Sequence, residues 1–174
     1  VQAAIESIEQ GAGSALDYIL CRDPEDHLVA RWEPRLEGMG TSRFALRVGA
    51  AGGAIIGIPH GQYENHVVVQ GVELFKNLGL RALIINGAHR CANDESSPCS
   101  GTSSVCGSQG AYRNSDMAHV DKTIFQWAHE ILSERFPNDL VLSIHGKSGS
   151  GINLSNGTKE PTSVDSPVAQ FALA

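Results

Sequence analysis

Ile55-Ile56-Gly57-Ile58-Pro59-His60-Gly61-Gln62-Tyr63-Glu64-Asn65 is the segment around which this chain is organised. An apolar run with the character of a buried strand opens at Ala54 and is stopped abruptly by Pro59-His60-Gly61. In open α/β sheets, ligands gather outside the carboxyl ends of the strands, so a histidine placed there is a candidate for chemistry. Glu64 follows it by four residues.

Two further apolar runs end in the same way. Ala82 to Ile85 leads into Asn86-Gly87-Ala88-His89-Arg90, and Leu140 to Ile144 leads into His145-Gly146. Between the first two runs, Val68, Val69, Val72, Leu74, Phe75 and Leu78 follow helical spacing up to Gly79. Before the third, Ile124, Trp127, Ala128, Ile131, Leu132 and Phe136 make the apolar face of a second helix, for which Ser115-Asp116 offers a cap. Strand, helix, strand, helix, strand implies right-handed crossovers. The reading is α/β: a single-domain, three-layer fold with a mainly parallel, mixed sheet, helices on both faces and a disulfide-stapled loop.

Upstream, Phe44 to Val48 is read as pairing with Ala54 to Ile58 in a hairpin closed by Gly49-Ala50-Ala51-Gly52-Gly53. Residues 2–20 carry a helical stripe and 22–40 look irregular, so 1–40 is assigned as an N-terminal helix and irregular segment ahead of a core at 41–160. The tail is rich in Ser, Gly, Thr and Asn, with a short strand expected at 152–154. Ser166-Pro167 is read as opening a last helix, which leads to the expectation that the natural chain extends past Ala174, and Val1 suggests a removed leader.

At 174 residues, 41% apolar and 18% charged, the chain has the composition of one globular domain. Its net charge of -6 comes with no basic cluster, which argues against nucleic acid and anionic membrane as partners. No apolar run is long enough to span a bilayer. Cys91, Cys99 and Cys106 crowd a Ser/Gly-rich loop, at spacings unlike those of zinc-binding pairs, with Cys21 far upstream. A disulfide framework fits better. The loop either pairs internally once or ties back to Cys21, and both arrangements point to an oxidising, extracellular or periplasmic setting. Asn153-Leu154-Ser155 and Asn156-Gly157-Thr158 are acceptor sequons, so a glycosylating source would make this a glycoprotein.

Three strand-terminal histidines would gather along one sheet edge. His60, Glu64 and His145 together offer two imidazoles and a carboxylate, a set that leaves a tetrahedral zinc ion one open position. Glu64 has a plainer reading as an acid at a helix start. Arg90 and Arg113 carry planar forks suited to a substrate carboxylate, although Arg113 suits a surface ion pair as well. Asp116 and His119 are candidates to orient the ligands, with Asp116 equally suited to a helix cap. His27, His66 and His129 are given no role.

Strand-Pro-His-Gly-x-x-Glu followed by strand-Ile-His-Gly resembles the metal site of the zinc carboxypeptidase superfamily and its compact relatives, the poly-γ-glutamate hydrolases and N-formylglutamate amidohydrolases. Gly87 to Asn93, Ser97-Pro98-Cys99 and Tyr112 to His119 are similar to segments of uncharacterised secreted bacterial proteins. The resemblance covers about residues 40–160 and implies zinc held by His60, Glu64 and His145. It further implies a secreted hydrolase cleaving an amide or peptide bond near a carboxylate in a small peptide-like or acidic substrate. Two departures weaken it. Three residues, not two, separate His60 from Glu64, and the superfamily's late general-base glutamate has only Glu160 and Asp165 as counterparts in the tail. Either the base lies beyond Ala174 or it has been lost. The alternative is an extracellular structural, self-assembling or binding domain that keeps the fold without turnover. A structural metal held by cysteines and histidines is the third reading.

Overall fold

A computed structural model describes residues 18–26, 28–34, 42–48, 52–157, 163–166 and 169. The apolar run of the organising segment forms a strand whose five residues are all buried, and the rest of the sheet is arranged around it. In chain order the elements are β1 (Tyr18–Arg22), β2 (Val29–Pro34), β3 (Arg43–Arg47), β4 (Ala54–Ile58), α1 (Val67–Asn77), β5 (Ala82–Ile85), β6 (Thr102–Ser103), β7 (Gly110–Ala111), a 3-10 turn (Met117–His119), α2 (Ile124–Arg135) and β8 (Leu140–Ser143). Six strands make one mixed sheet in the order β1-β2-β3-β5-β4-β8. β5, β4 and β8 run parallel, β3 pairs antiparallel with β5, and β2 and β1 continue the sheet beyond it, each antiparallel to its neighbour.

Among the described residues one helix covers each face. Ile56, Ile58 and Leu83 pack with Val67 and Phe75 of α1, whereas Ile55, Ala82 and Ile84 pack with Phe125, Ala128 and Leu132 of α2. This alternation is what a strand buried on both sides requires. α1 stops at Leu78, whose N–H reaches the Leu74 carbonyl, and Gly79 supplies the left-handed turn at φ 60°.

Several expectations need correction. β3 and β4 do not form a hairpin: β5 lies between them, because pairing with β5 lets both strands bury their apolar faces in the sheet interior. Tyr18–Leu20 belong to a strand, not to the end of a helix, while residues 1–17 lie outside the described set. β2 occupies part of the stretch read as irregular. Its Trp32 is buried in an aromatic cluster with Tyr18 and Phe44 (ring centroids 5.6–5.9 Å apart), which Pro34 and the nearby charges obscured. Thr123, not Ser115-Asp116, caps α2, accepting from the Gln126 N–H. Trp127 is 44% exposed instead of buried. Residues 152–154 form no strand, and Ile152 is exposed. At Ser166 the expected cap is made, its Oγ accepting from the Ala169 N–H, although most of the helix it would open lies outside the described residues.

His129, read as a surface residue, instead packs its ring edge-on to Phe125 and over Gly57. A side chain at Gly57 would occupy the space of that ring, so glycine is what lets α2 approach β4. Burial pushes the His129 pKa down to about 4 from 6.5, and the folded protein holds this ring neutral.

Between those two values the unfolded chain binds the proton and the folded chain does not, so stability falls as pH drops from 6.5 toward 4. The pH-dependent loss is expected to reach the order of 3 kcal/mol, and His129→Leu should flatten it in urea titrations run across that window. Gly57→Ala should cost about 1–3 kcal/mol in the same assay through overpacking.

Candidate metal centre

The parallel register of β5, β4 and β8 puts their carboxyl ends on one edge, and the segments that follow β4 and β8 meet there. After β4 the chain turns once, with the Tyr63 and Glu64 N–H groups donating to the His60 carbonyl at 2.9 Å. This turn stacks Glu64 over His60. His60 Nδ1 lies 2.8 Å from Glu64 Oε1, and His145 Nδ1 lies 3.6 Å from the same oxygen. The two imidazole rings sit 5.0 Å apart, edge to face. His60, Glu64 and His145 thus form a group that could hold a metal ion, their donor atoms all within 4.8 Å of one another.

Two glycines make this approach possible. A Cβ at Gly146 would lie 2.9 Å from Glu64 Cβ, while the Gly146 N–H donates to Glu64 Oε2 at 2.7 Å. At Gly61 a Cβ would press on Val68 and Ile85 at 3.0 and 3.2 Å. Each His-Gly pair therefore couples a donor to a residue small enough to let the neighbouring segment close in.

His60 is 2% exposed, and its far nitrogen is secured as well: Nε2 lies 2.7 Å from Asp116 Oδ1. Asp116 Oδ2 accepts from Arg90 Nη2 at 2.5 Å, and Arg90 Nη1 stands 3.9 Å from Glu64 Oε1. An imidazole that gives one N–H to Asp116 turns Nδ1 toward the Glu64 carboxylate, and either a proton on Nδ1 or a metal ion between the two satisfies both. The donor set fits a metal ion on that ground. Burial alone would raise the Asp116 pKa, but the hydrogen bonds from His60 and Arg90 outweigh it and hold the carboxyl below its ordinary value. Burial lowers His145, opposed by Glu64, and so favours the neutral ring a ligand needs.

The other expected site residues divide. Arg90 belongs to the centre: it is buried, its guanidinium lies 5.5 Å from the Tyr63 ring centroid, within cation–π reach, and its Nε has no hydrogen-bond partner among the described residues. Arg113 does not. Its fork is engaged by the Cys91 and Cys106 carbonyls and by Asp94, so the substrate-carboxylate role is withdrawn in favour of the surface pairing. His89, four residues past β5, is exposed, accepts from the Cys91 N–H and packs its ring on Tyr63. The third imidazole is thus a neighbour of the donors and not one of them. His119 stacks flat on Tyr112 at 3.5 Å, and burial lowers its pKa, but it bonds none of the three donors. Asp116 orients His60 and caps nothing with its side chain.

Of the four cysteines, Cys91 and Cys106 form the internal bridge, while Cys21 and Cys99 are free thiols, so the full framework is reduced to one disulfide. Asn153 and Asn156 lie in an exposed stretch without regular structure.

Asn86 escaped the sequence reading. It is buried, donates to the Pro59 carbonyl at 2.8 Å and to the Ala88 carbonyl at 2.9 Å, and accepts from the Ala88 N–H at 3.1 Å. Asn86-Gly87 reads as a turn, and only the pairing of β4 with β5 reveals it as a brace beneath His60. Comparison with protein-family models, curated proteins and solved structures finds no match for this chain.

Asp116→Asn should weaken metal binding about 10–100-fold by titration, since the oriented tautomer of His60 is lost. Asp116 is more acidic folded than unfolded, so its stabilisation is full above its ordinary 3.8 and is lost as pH falls below it. The asparagine variant, which leaves Arg90 buried without its anion, should lack this acid limb and lose about 3–5 kcal/mol at neutral pH.

Proposed function

We propose that this chain is a secreted zinc-dependent hydrolase domain acting on an amide or peptide bond near a carboxylate. The observation that carries the reading is His60, buried and pinned by Asp116 through one nitrogen while the other faces Glu64 beside His145. Two imidazoles and a carboxylate are the donor set of catalytic zinc, and a purely structural site is normally closed by a fourth protein ligand. The chemistry such an ion supplies is Lewis acidity, which polarises a carbonyl and brings the pKa of water to about 7.

The chain's own groups do the positioning. Asp116 and Arg90 hold His60 in one orientation, and the Gly146 N–H fixes the second oxygen of Glu64. Arg90 places a buried positive charge beside the centre, a field that favours an anionic substrate group there. Tyr63 and His89 present exposed rings next to the donors, available to a peptide-like ligand. The disulfide agrees with an extracellular location, and no described helix is long and apolar enough to cross a membrane.

One observation favours a second reading, a zinc-binding domain without turnover. Asp116, the other buried carboxylate of the centre, is committed at both oxygens and is not free to move protons. Glu160, one of the tail acids, lies outside the described residues, and Asp165 sits in a turn of the tail.

Elemental analysis of the purified protein should return close to one zinc per chain. His145→Ala, at a side chain 41% exposed, should abolish that zinc while shifting the stability of the metal-free protein by no more than about 0.5 kcal/mol. Absence of zinc from the unaltered protein refutes the centre. With zinc bound, release of product from γ-glutamyl, N-formyl or C-terminal peptide substrates supports the hydrolase, and inertness toward all three classes supports the binding domain.

A further inference from the structure

The ring of chain closed by Cys91–Cys106 is tied to the residues around the donors at four places. Cys91 directly follows Arg90, and Cys106 Sγ lies 4.0 Å from the Arg90 carbonyl oxygen. That carbonyl accepts from Ser115 Oγ at 2.8 Å, next to Asp116, and the Asn93 N–H donates to the same hydroxyl at 3.0 Å. Arg113 spans the bridge, donating to the Cys91 carbonyl at 3.0 Å and the Cys106 carbonyl at 3.5 Å, three residues before Asp116. Tyr63, adjacent to Glu64, donates its hydroxyl to the Val105 carbonyl at 3.5 Å. Both residues that secure the far nitrogen of His60, and the turn that carries Glu64, are therefore anchored on this ring.

The bridge is also within reach of solvent. Both half-cystines are partly exposed, and Gly101, Thr102, Ser104, Val105, Gly107 and Ser108 around them are exposed. A dithiol reductant can attack it.

We propose that Cys91–Cys106 is a redox modification site coupled to the metal centre, with the oxidised bridge holding Arg90 and Asp116 in place for zinc and its reduction weakening zinc binding. In the step itself the S–S bond breaks, each sulfur gains one electron and one proton, and a dithiol supplies both pairs as it closes to its own disulfide. Opening the ring frees the backbone beside Arg90 and removes one anchor of the Arg113 strap, so the Asp116–His60 contact is no longer held from behind. By linkage, bound zinc protects the bridge against reduction by the same factor. The proposal rests on the zinc reading above.

The test is a zinc titration against a chromophoric chelator, comparing the bridged protein with Cys91→Ser/Cys106→Ser, which has no thiolates there to bind zinc. Cys99→Ser is carried in both, so that this thiol cannot exchange into the bridge. Zinc affinity should fall by about tenfold or more in the serine pair, the range seen when outer partners of a ligand are removed, while the metal-free circular dichroism is retained. Arg113→Gln, which leaves the bridge intact and removes the strap, should give a smaller loss in the same direction. Equal affinity in bridged and serine proteins overturns the coupling while leaving the zinc reading intact; no zinc uptake by the bridged protein overturns both. Should the serine pair fail to fold, Arg113→Gln decides: weakened zinc binding supports the proposal, and unchanged binding overturns it.

Discussion

His60 is an imidazole buried between two carboxylates, and the segments around it are built to hold it there. His60 cannot satisfy Glu64 and Asp116 together as a neutral ring, and it is 2% exposed. Arg90 balances one of the two acids and stops short of the second. The arrangement leaves a place for one more positive charge on the Glu64 side, where His145 also points. Burial makes that demand strong, because an unpaired charge costs far more in the interior than at the surface.

The sheet exists in the form that allows this. Parallel alignment of β4 with β8 brings His60 and His145 to the same edge, and the flat packing of α2 on β4 requires the missing side chain at Gly57. Asn86 then holds the carbonyl of Pro59, so the turn carrying His60 and Glu64 starts from a fixed point. Each feature is ordinary alone. Together they hold donors from segments more than eighty residues apart in sequence, as the Glu64–Gly146 bond spans 82 positions.

What the sequence revealed follows its periodicities. The three parallel strands and two helices were legible because buried strands are continuous apolar runs and the helices carry stripes. The donor trio was legible because the ends of the strands that carry it are marked by Pro59 and Gly146. β2 was not, since Arg31, Glu33 and Pro34 interrupt the pattern around the buried Val29, Ala30 and Trp32. The false hairpin arose because adjacent strands in sequence usually pair, and nothing local shows that β5 takes the position between them. Spacing placed the three histidines equally, yet His89 stands four residues beyond its strand while His60 and His145 stand two beyond theirs, and those extra residues carry it to the surface. The roles of Arg113 and the cysteines depended on a loop fold that no period encodes.

β8 delivers His145 to the centre from two residues past its carboxyl end. It lies at the sheet edge, is held to the sheet by β4 alone among the described residues, and carries Val141 nearly half exposed. Its pairing with β4 joins Ala54 to Leu140 and closes the longest loop in the sheet, the one whose closure costs the most chain entropy. His145 is therefore brought to His60 by the longest-range pairing of the sheet. A chain in which this edge strand came loose would keep the buried half of the donor set without the exposed half.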